Sequence, residues 1–236
     1  MDKRDTIIIA LGQPSDPQPH VAALRDIAES VAGLLPGWNV RGAALEAPDS
    51  VKAAADGLDR PLVYPLFLAN GFFMTQVLPR KLAGLVPGAE ILPPFGADPR
   101  LPALVSNVVA QALREHRFAA AETSLLLAAH GSEAFPASRL STGQLVREVA
   151  ARAGLRKAVA GFLQERPFIA ESARDLGQAI CLPVFALRAN HVAVDIPRAL
   201  QKACFTGPTL APLGMQPEVP AFIAAALRQH ALGQAA

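Results

Sequence analysis

The sequence predicts an α/β protein of two similar lobes, each a parallel four-stranded sheet flanked by helices. Two observations carry that prediction. Short β-rich runs alternate with longer segments of helical periodicity, as βαβ units require. The same order is then written a second time at a nearly constant offset, which marks a duplication.

The first strand, Thr6 to Leu11, is an isoleucine-rich run that ends at Gly12, Gln13 and Pro14. His20 to Leu34 follows with apolar residues at helical spacing. Strands are then expected at Asn39 to Leu45, Pro61 to Leu68 and Glu90 to Leu92. A helix over Pro99 to His116 should open after Asp98 as its cap, with proline in the first turn. In the second half, strands are expected at Ser124 to Ala129, Ala158 to Leu163, Ala179 to Phe185 and Thr209 to Leu213, with helices between and after them.

Local matches support the repeat. Leu11 and Gly12 correspond to His130 and Gly131, and Pro65, Phe67, Pro79 and Arg80 correspond to Pro183, Phe185, Pro197 and Arg198. The register drifts by one residue, which a loop absorbs. The lobes are expected to divide in the polar, small-residue stretch near 117–122, giving an N-terminal lobe over 1–118 and a C-terminal lobe over 119–236.

Bulk properties exclude several classes. With 236 residues and 51% hydrophobic content, the chain can bury a full core and is not a disordered protein. Its 22 Lys plus Arg against 20 Asp plus Glu leave a formal charge of +2, with no basic arm, so nucleic acid is not an expected partner. No stretch reaches the roughly 18 apolar residues of a membrane helix. The apolar run after Met1 to Thr6 is shorter than a secretory signal core, so a cytoplasmic location is expected. Cys181 and Cys204 have no metal-type spacing and read as reduced structural thiols.

Open parallel sheets bind ligands outside the carboxyl ends of their strands, and this ranks the five histidines. His130 directly follows the apolar run Leu125 to Ala129, and Gly131 with Ser132 begins a loop. His191 lies beyond the third strand of the same lobe, ahead of Asp195, Ile196 and Pro197, which reads as a helix start with Asp as cap. If strands one and three are neighbours, as in flavodoxin, the two imidazoles meet on one rim. Such a pair suits Co²⁺, Fe²⁺, Ni²⁺ or Zn²⁺, and neutral imidazole also accepts protons near pH 7. His20, His116 and His230 have no such partner and are expected on the surface. At the positions of the pair, the first lobe has Leu11 and Phe73, so it cannot repeat the metal chemistry. There Phe72, Phe73 and Met74 are expected either to form a wall against a flat ligand or to serve as ordinary packing.

The segments Leu125-Leu-Leu-Ala-Ala-His130-Gly131-Ser132, Gly161-Phe-Leu-Gln164-Glu165 and Pro183-Val-Phe-Ala-Leu-Arg-Ala-Asn-His191-Val-Ala-Val-Asp195-Ile196-Pro197 resemble the sirohydrochlorin cobaltochelatase and ferrochelatase family. These are the CbiX- and SirB-like, ATP-independent class II chelatases. The resemblance covers the second lobe well and the first through its duplicated framework. It implies two flavodoxin-like lobes with a tetrapyrrole held between them. His130 and His191 would act as catalytic and metal-binding residues. A divalent metal would be the substrate, Co²⁺ foremost with Fe²⁺ or Ni²⁺ as alternatives, and no nucleotide is needed. Glu133 stands where the family usually has arginine, and Gln164 where an acidic residue is common. Glu165, one position on, would supply that carboxylate and join the metal ligands. Sirohydrochlorin carries many carboxylates, so Arg139, Arg188 and Arg198, together with Ser132, Phe72 and Phe73, are the expected substrate contacts. A non-catalytic tetrapyrrole or metal carrier is the alternative reading.

Overall fold

The computed structural model describes residues 4–12, 17–47 and 49–234. The Gln13 and Pro14 end of the first apolar run lies outside them. The chain forms two compact units. The first comprises 1–67, 72–95 and 217–236, and the second 68–71 and 96–216.

In the first unit the strands are β1 (Arg4–Ala10), β2 (Trp38–Ala44), β3 (Leu62–Pro65) and β4 (Glu90–Ile91). All pair in parallel in the order β2-β1-β3-β4. Ile7, Ile8 and Ile9 of β1 are fully buried, as expected for a central strand covered on both faces. Its helices are α1 (Gln18–Leu34), α2 (Ser50–Ala55) and α3 (Leu78–Leu85). Ile7, Ile9, Ala43, Val63, Leu78 and Leu82 belong to one core on the α2 and α3 side. The helix α8 (Val219–Gly233), last in sequence, packs on α1 and completes this unit.

In the second unit, β5 (Ser124–Ala129) lies between β6 (Lys157–Phe162) and β7 (Ala179–Pro183), again all parallel. The short helix α6 (Ile169–Ser172) and α7 (Ile196–Lys202) share a core with Leu126, Ala128 and Cys181. α5 (Ala137–Ala153) packs on α4 (Leu101–His116), which precedes this sheet in the chain. The helix that ends each sequence half is thus housed in the other half's compact unit. The halves 1–118 and 119–236 and the compact units are different divisions of the chain.

Three expectations are corrected. The fourth strand of the second lobe, expected at Thr209 to Leu213, shrinks to one parallel bridge between Cys181 and Thr209. Pro208 and Pro212 bracket it, and neither has an N–H to extend a ladder. The helix expected from Pro99 begins at Leu101, without a side-chain cap. Asp98 instead accepts hydrogen bonds from the Arg100 backbone N–H and guanidinium, both at 2.9 Å. Burial pushes the Asp98 carboxyl up, but these bonds outweigh it and hold the group below its ordinary value. His20 is buried in the first unit rather than on the surface, while His116 is exposed as expected. His230 lies half-buried, 3.1 Å from Glu90.

The repeat itself has a structural signature. A five-residue π-type turn runs over Phe73–Val77 ahead of α3, and another over His191–Asp195 ahead of α7. The two turns stand 118 residues apart, at the offset that relates Pro79 to Pro197.

Candidate functional site

The site is built on the second unit, at the carboxyl ends of β5 and β7. Because β5 pairs with β7, the residues following these strands are neighbours despite lying about 60 positions apart. His130 is the first residue after β5. Its carbonyl accepts from the N–H groups of Leu163 (3.1 Å) and Gln164 (2.9 Å), so the β5–β6 ladder continues into the loop and fixes the histidine's backbone. His191 begins the π-type turn beyond β7, anchored by Val192 and Ile196, whose side chains enter the core.

The two imidazoles meet. Their ring centres are 4.9 Å apart with an interplanar angle of 75°, and Phe185 lies 6.2 Å from His191. Neither histidine is sealed inside: His130 is exposed and His191 half-exposed.

Each ring is held by its Nδ1. His130 Nδ1 is 2.7 Å from the Gly131 carbonyl oxygen, which can only accept, so Nδ1 must carry the proton. His191 Nδ1 is 2.7 Å from Asp195 Oδ2, which assigns the same tautomer. In the neutral form of each ring the lone pair therefore sits on Nε2. A carboxylate or carbonyl behind a histidine is the arrangement that orients metal ligands and raises their basicity. The sequence predicts Asp195 as a helix cap, and the structure gives it another role. It makes no side-chain cap bond to α7, because its carboxylate is turned to His191. A spacing of four residues, His191 to Asp195, was the available signal for this pairing.

Glu165 follows β6 and is buried at 6% exposure. Its Oε1 accepts from the Ser132 N–H at 2.8 Å and its Oε2 pairs with Arg139 Nε at 3.2 Å. The carboxylate thus clamps the His-Gly-Ser loop. Among the described residues no group of three metal-ligating side chains is brought together, so the structure presents a histidine pair with Glu165 bonded elsewhere. Gly131 is what allows this packing. It has φ +71°, and a Cβ there would lie 2.8 Å from Phe162 Cβ and 2.9 Å from Glu165 Cγ.

Ser132 Oγ accepts from the Phe135 N–H at 3.2 Å, an internal loop bond. Arg139 is exposed but engaged with Glu165, while Arg188 and Arg198 are exposed on the same unit. Phe72 and Phe73 belong to the first unit, each 41% exposed, and stack edge to face at 5.9 Å. Cys181 and Cys204 are both free thiols. No helix among the described residues is long and apolar enough to cross a membrane.

The CbiX family pattern matches residues 124–230, which contain both histidines, Glu165 and Asp195. A solved structure of CbiX, described as the terminal enzyme for biosynthesis of siroheme in denitrifying bacteria, is 44% identical, with a TM-score of 0.88 over 96% of this chain and 99% of that one. The chain belongs to the CbiX family of chelatases. SirB from Bacillus subtilis with Fe³⁺ shares the fold at 16% identity and a TM-score of 0.74, covering 97% of this chain and 95% of that one. The sirohydrochlorin chelatase SirB from Bacillus subtilis subspecies spizizenii, in complex with cobalt, does so at 14% identity and a TM-score of 0.67, with the same coverage. No curated protein sequence matches the chain. CbiX membership accounts for the paired sheets and for the parallel, duplicated architecture read from the sequence.

Proposed function

We propose that this CbiX-family protein inserts a divalent metal ion, Co²⁺ or Fe²⁺, into sirohydrochlorin or a related tetrapyrrole without ATP. The observation that carries this reading is the His130–His191 contact, with both Nδ1 atoms tied back and both Nε2 atoms left as lone-pair donors. The activities described for the similar CbiX and SirB structures support it.

Insertion exchanges two pyrrole N–H protons for one M²⁺, so the site must strip water from the ion and accept two protons. An ion bonded to imidazole sits about 2.0–2.1 Å from each nitrogen, a reach that two rings in contact can share. As the ion passes to the macrocycle, each freed Nε2 is a base for one departing proton. The Asp195 carboxylate stabilises the imidazolium that forms on His191, and the Gly131 carbonyl does so for His130. Glu165 and Arg139 keep the loop in place during this exchange. We also propose that the chain arose by duplication of one lobe, 1–118 and 119–236, a reading supported by the matching π-type turns.

The test is to mix purified protein with Co²⁺ or Fe²⁺ and sirohydrochlorin and record the absorption spectrum. Acceleration over the uncatalysed reaction is expected, and His130→Ala and His191→Ala should each lower it at least about 100-fold while leaving ring binding intact. No acceleration with any metal tried rejects the proposal. Tight ring binding without turnover would instead identify a carrier.

A further inference from the structure

On the second unit, a recess of about 370 Å³ opens between α6 and α7, near the carboxyl end of β6. Phe162 and Leu163 form its apolar floor and the Phe168 ring stands at its edge, 36% exposed. Arg174, Arg198 and Lys202 surround it. All three are exposed, and none makes a side-chain hydrogen bond or ion pair among the described residues. The two carboxylates that border the recess are already engaged. Glu171 binds the Arg166 guanidinium and the Phe168 N–H, and Asp195 binds His191. The recess therefore offers three uncommitted cations to an anion.

Asp195 lines this recess and also holds His191, so the two features are continuous. Residues 195, 198 and 202 follow helical spacing and share one face. At 1.5 Å per residue, Arg198 lies roughly 10 Å and Lys202 roughly 16 Å along the axis beyond His191. An ion held by the histidines marks the centre of a macrocycle. The acidic substituents of that macrocycle lie at its edge, so cations that recognise them belong about two to three helical turns from the histidines rather than beside them.

We propose that this recess binds the peripheral carboxylates of an anionic tetrapyrrole, with Arg174, Arg198 and Lys202 as the anion contacts and Phe168 covering the apolar part of the arm. This rests on the metal-insertion reading above.

The experiment uses the full chain and metal-free sirohydrochlorin. Binding is titrated by absorbance for the wild type, for Arg198→Glu and for the triple variant Arg174→Ala, Arg198→Ala, Lys202→Ala. Co²⁺ insertion is measured alongside, and circular dichroism checks the fold. We expect the triple variant to bind the ring about 10- to 100-fold more weakly, with KM rising in parallel and kcat within about twofold. Its affinity for the methyl-esterified, uncharged ring should equal that of the wild type. Arg198→Glu should weaken binding of the acidic ring more than loss of the side chain alone would. Equal affinity of wild type and triple variant for the acidic ring overturns this inference, as does an equal loss for the esterified ring, and either result with wild-type turnover leaves metal insertion standing. A wild type that neither binds nor metallates the ring overturns both.

Discussion

At the scale of single residues, the proposed metal insertion depends on which nitrogen of each histidine is left open, and the hydrogen-bond partners of the two Nδ1 atoms decide that. Asp195 is one such neighbour. Replacing it by alanine frees the His191 ring to rotate and removes the negative charge behind it. Metal affinity is expected to fall about 10- to 100-fold, the usual effect of losing a hydrogen-bonded partner behind a ligand. Co²⁺ titration by calorimetry checks this, and unchanged affinity would mean that the 2.7 Å contact does not orient the ring. Gly131 is another. An alanine there must adopt φ +71° and place its Cβ against Phe162 and Glu165, so Gly131→Ala should cost roughly 1–3 kcal/mol of stability. Because the clash falls on Glu165, the variant should also lose insertion activity beyond what its stability explains, read from urea melts and turnover on the same preparation.

At the scale of elements, the second sheet shows what was legible in the sequence and what was not. The run Leu125 to Ala129 is uniformly apolar and short, as a strand buried on both faces requires, and β5 is buried along its whole length. Since strand ends carry ligands in such sheets, His130 and His191 could be placed on one rim from spacing alone. The π-type turn could not be read, because its five-residue repeat differs too little from a helix in hydrophobic pattern. Asp195 was missed for the same reason: the residues Asp195-Ile196-Pro197 fit a helix cap equally well. Burial of His20 is not legible in the sequence, because one polar residue at a core position of α1 leaves the apolar period intact. The same sheet makes a prediction about thiols. Burial in β7 pushes the Cys181 thiol up to about 12 from 9.0, whereas Cys204 is exposed. A maleimide should label one thiol in the native protein near neutral pH and two after unfolding. A thiol with a raised native value also stays protonated while the unfolded chain ionises. Its contribution to stability is therefore complete below about pH 9 and lost as pH rises toward 12, a decline that Cys181→Ala should lessen in alkaline melts.

At the scale of the whole molecule, the sequence repeat and the compact units part company, and this determines which pieces can fold. α8 ends the second repeat, yet Val219, Ile223, Ala224 and Leu227 are fully buried in a helix that packs on α1 of the first unit. α4 precedes the second repeat, yet it packs on α5, with Val105 and Val109 at 0% exposure. A fragment cut at the repeat boundary, 119–236, carries both histidines but leaves α5 without α4 and α8 without α1. Exposing two such apolar stripes removes several kcal/mol of burial and invites aggregation. A fragment over 96–216 retains nearly all of the second unit, including α4, the three strands and the histidine pair. We expect 96–216 to unfold cooperatively and to bind Co²⁺, and 119–236 to show no cooperative transition. Thermal melts and Co²⁺ titration of the two fragments decide the matter. Equal behaviour of both would mean that α4 and α8 are dispensable covers, and that each repeat, not each interleaved unit, is the folding unit.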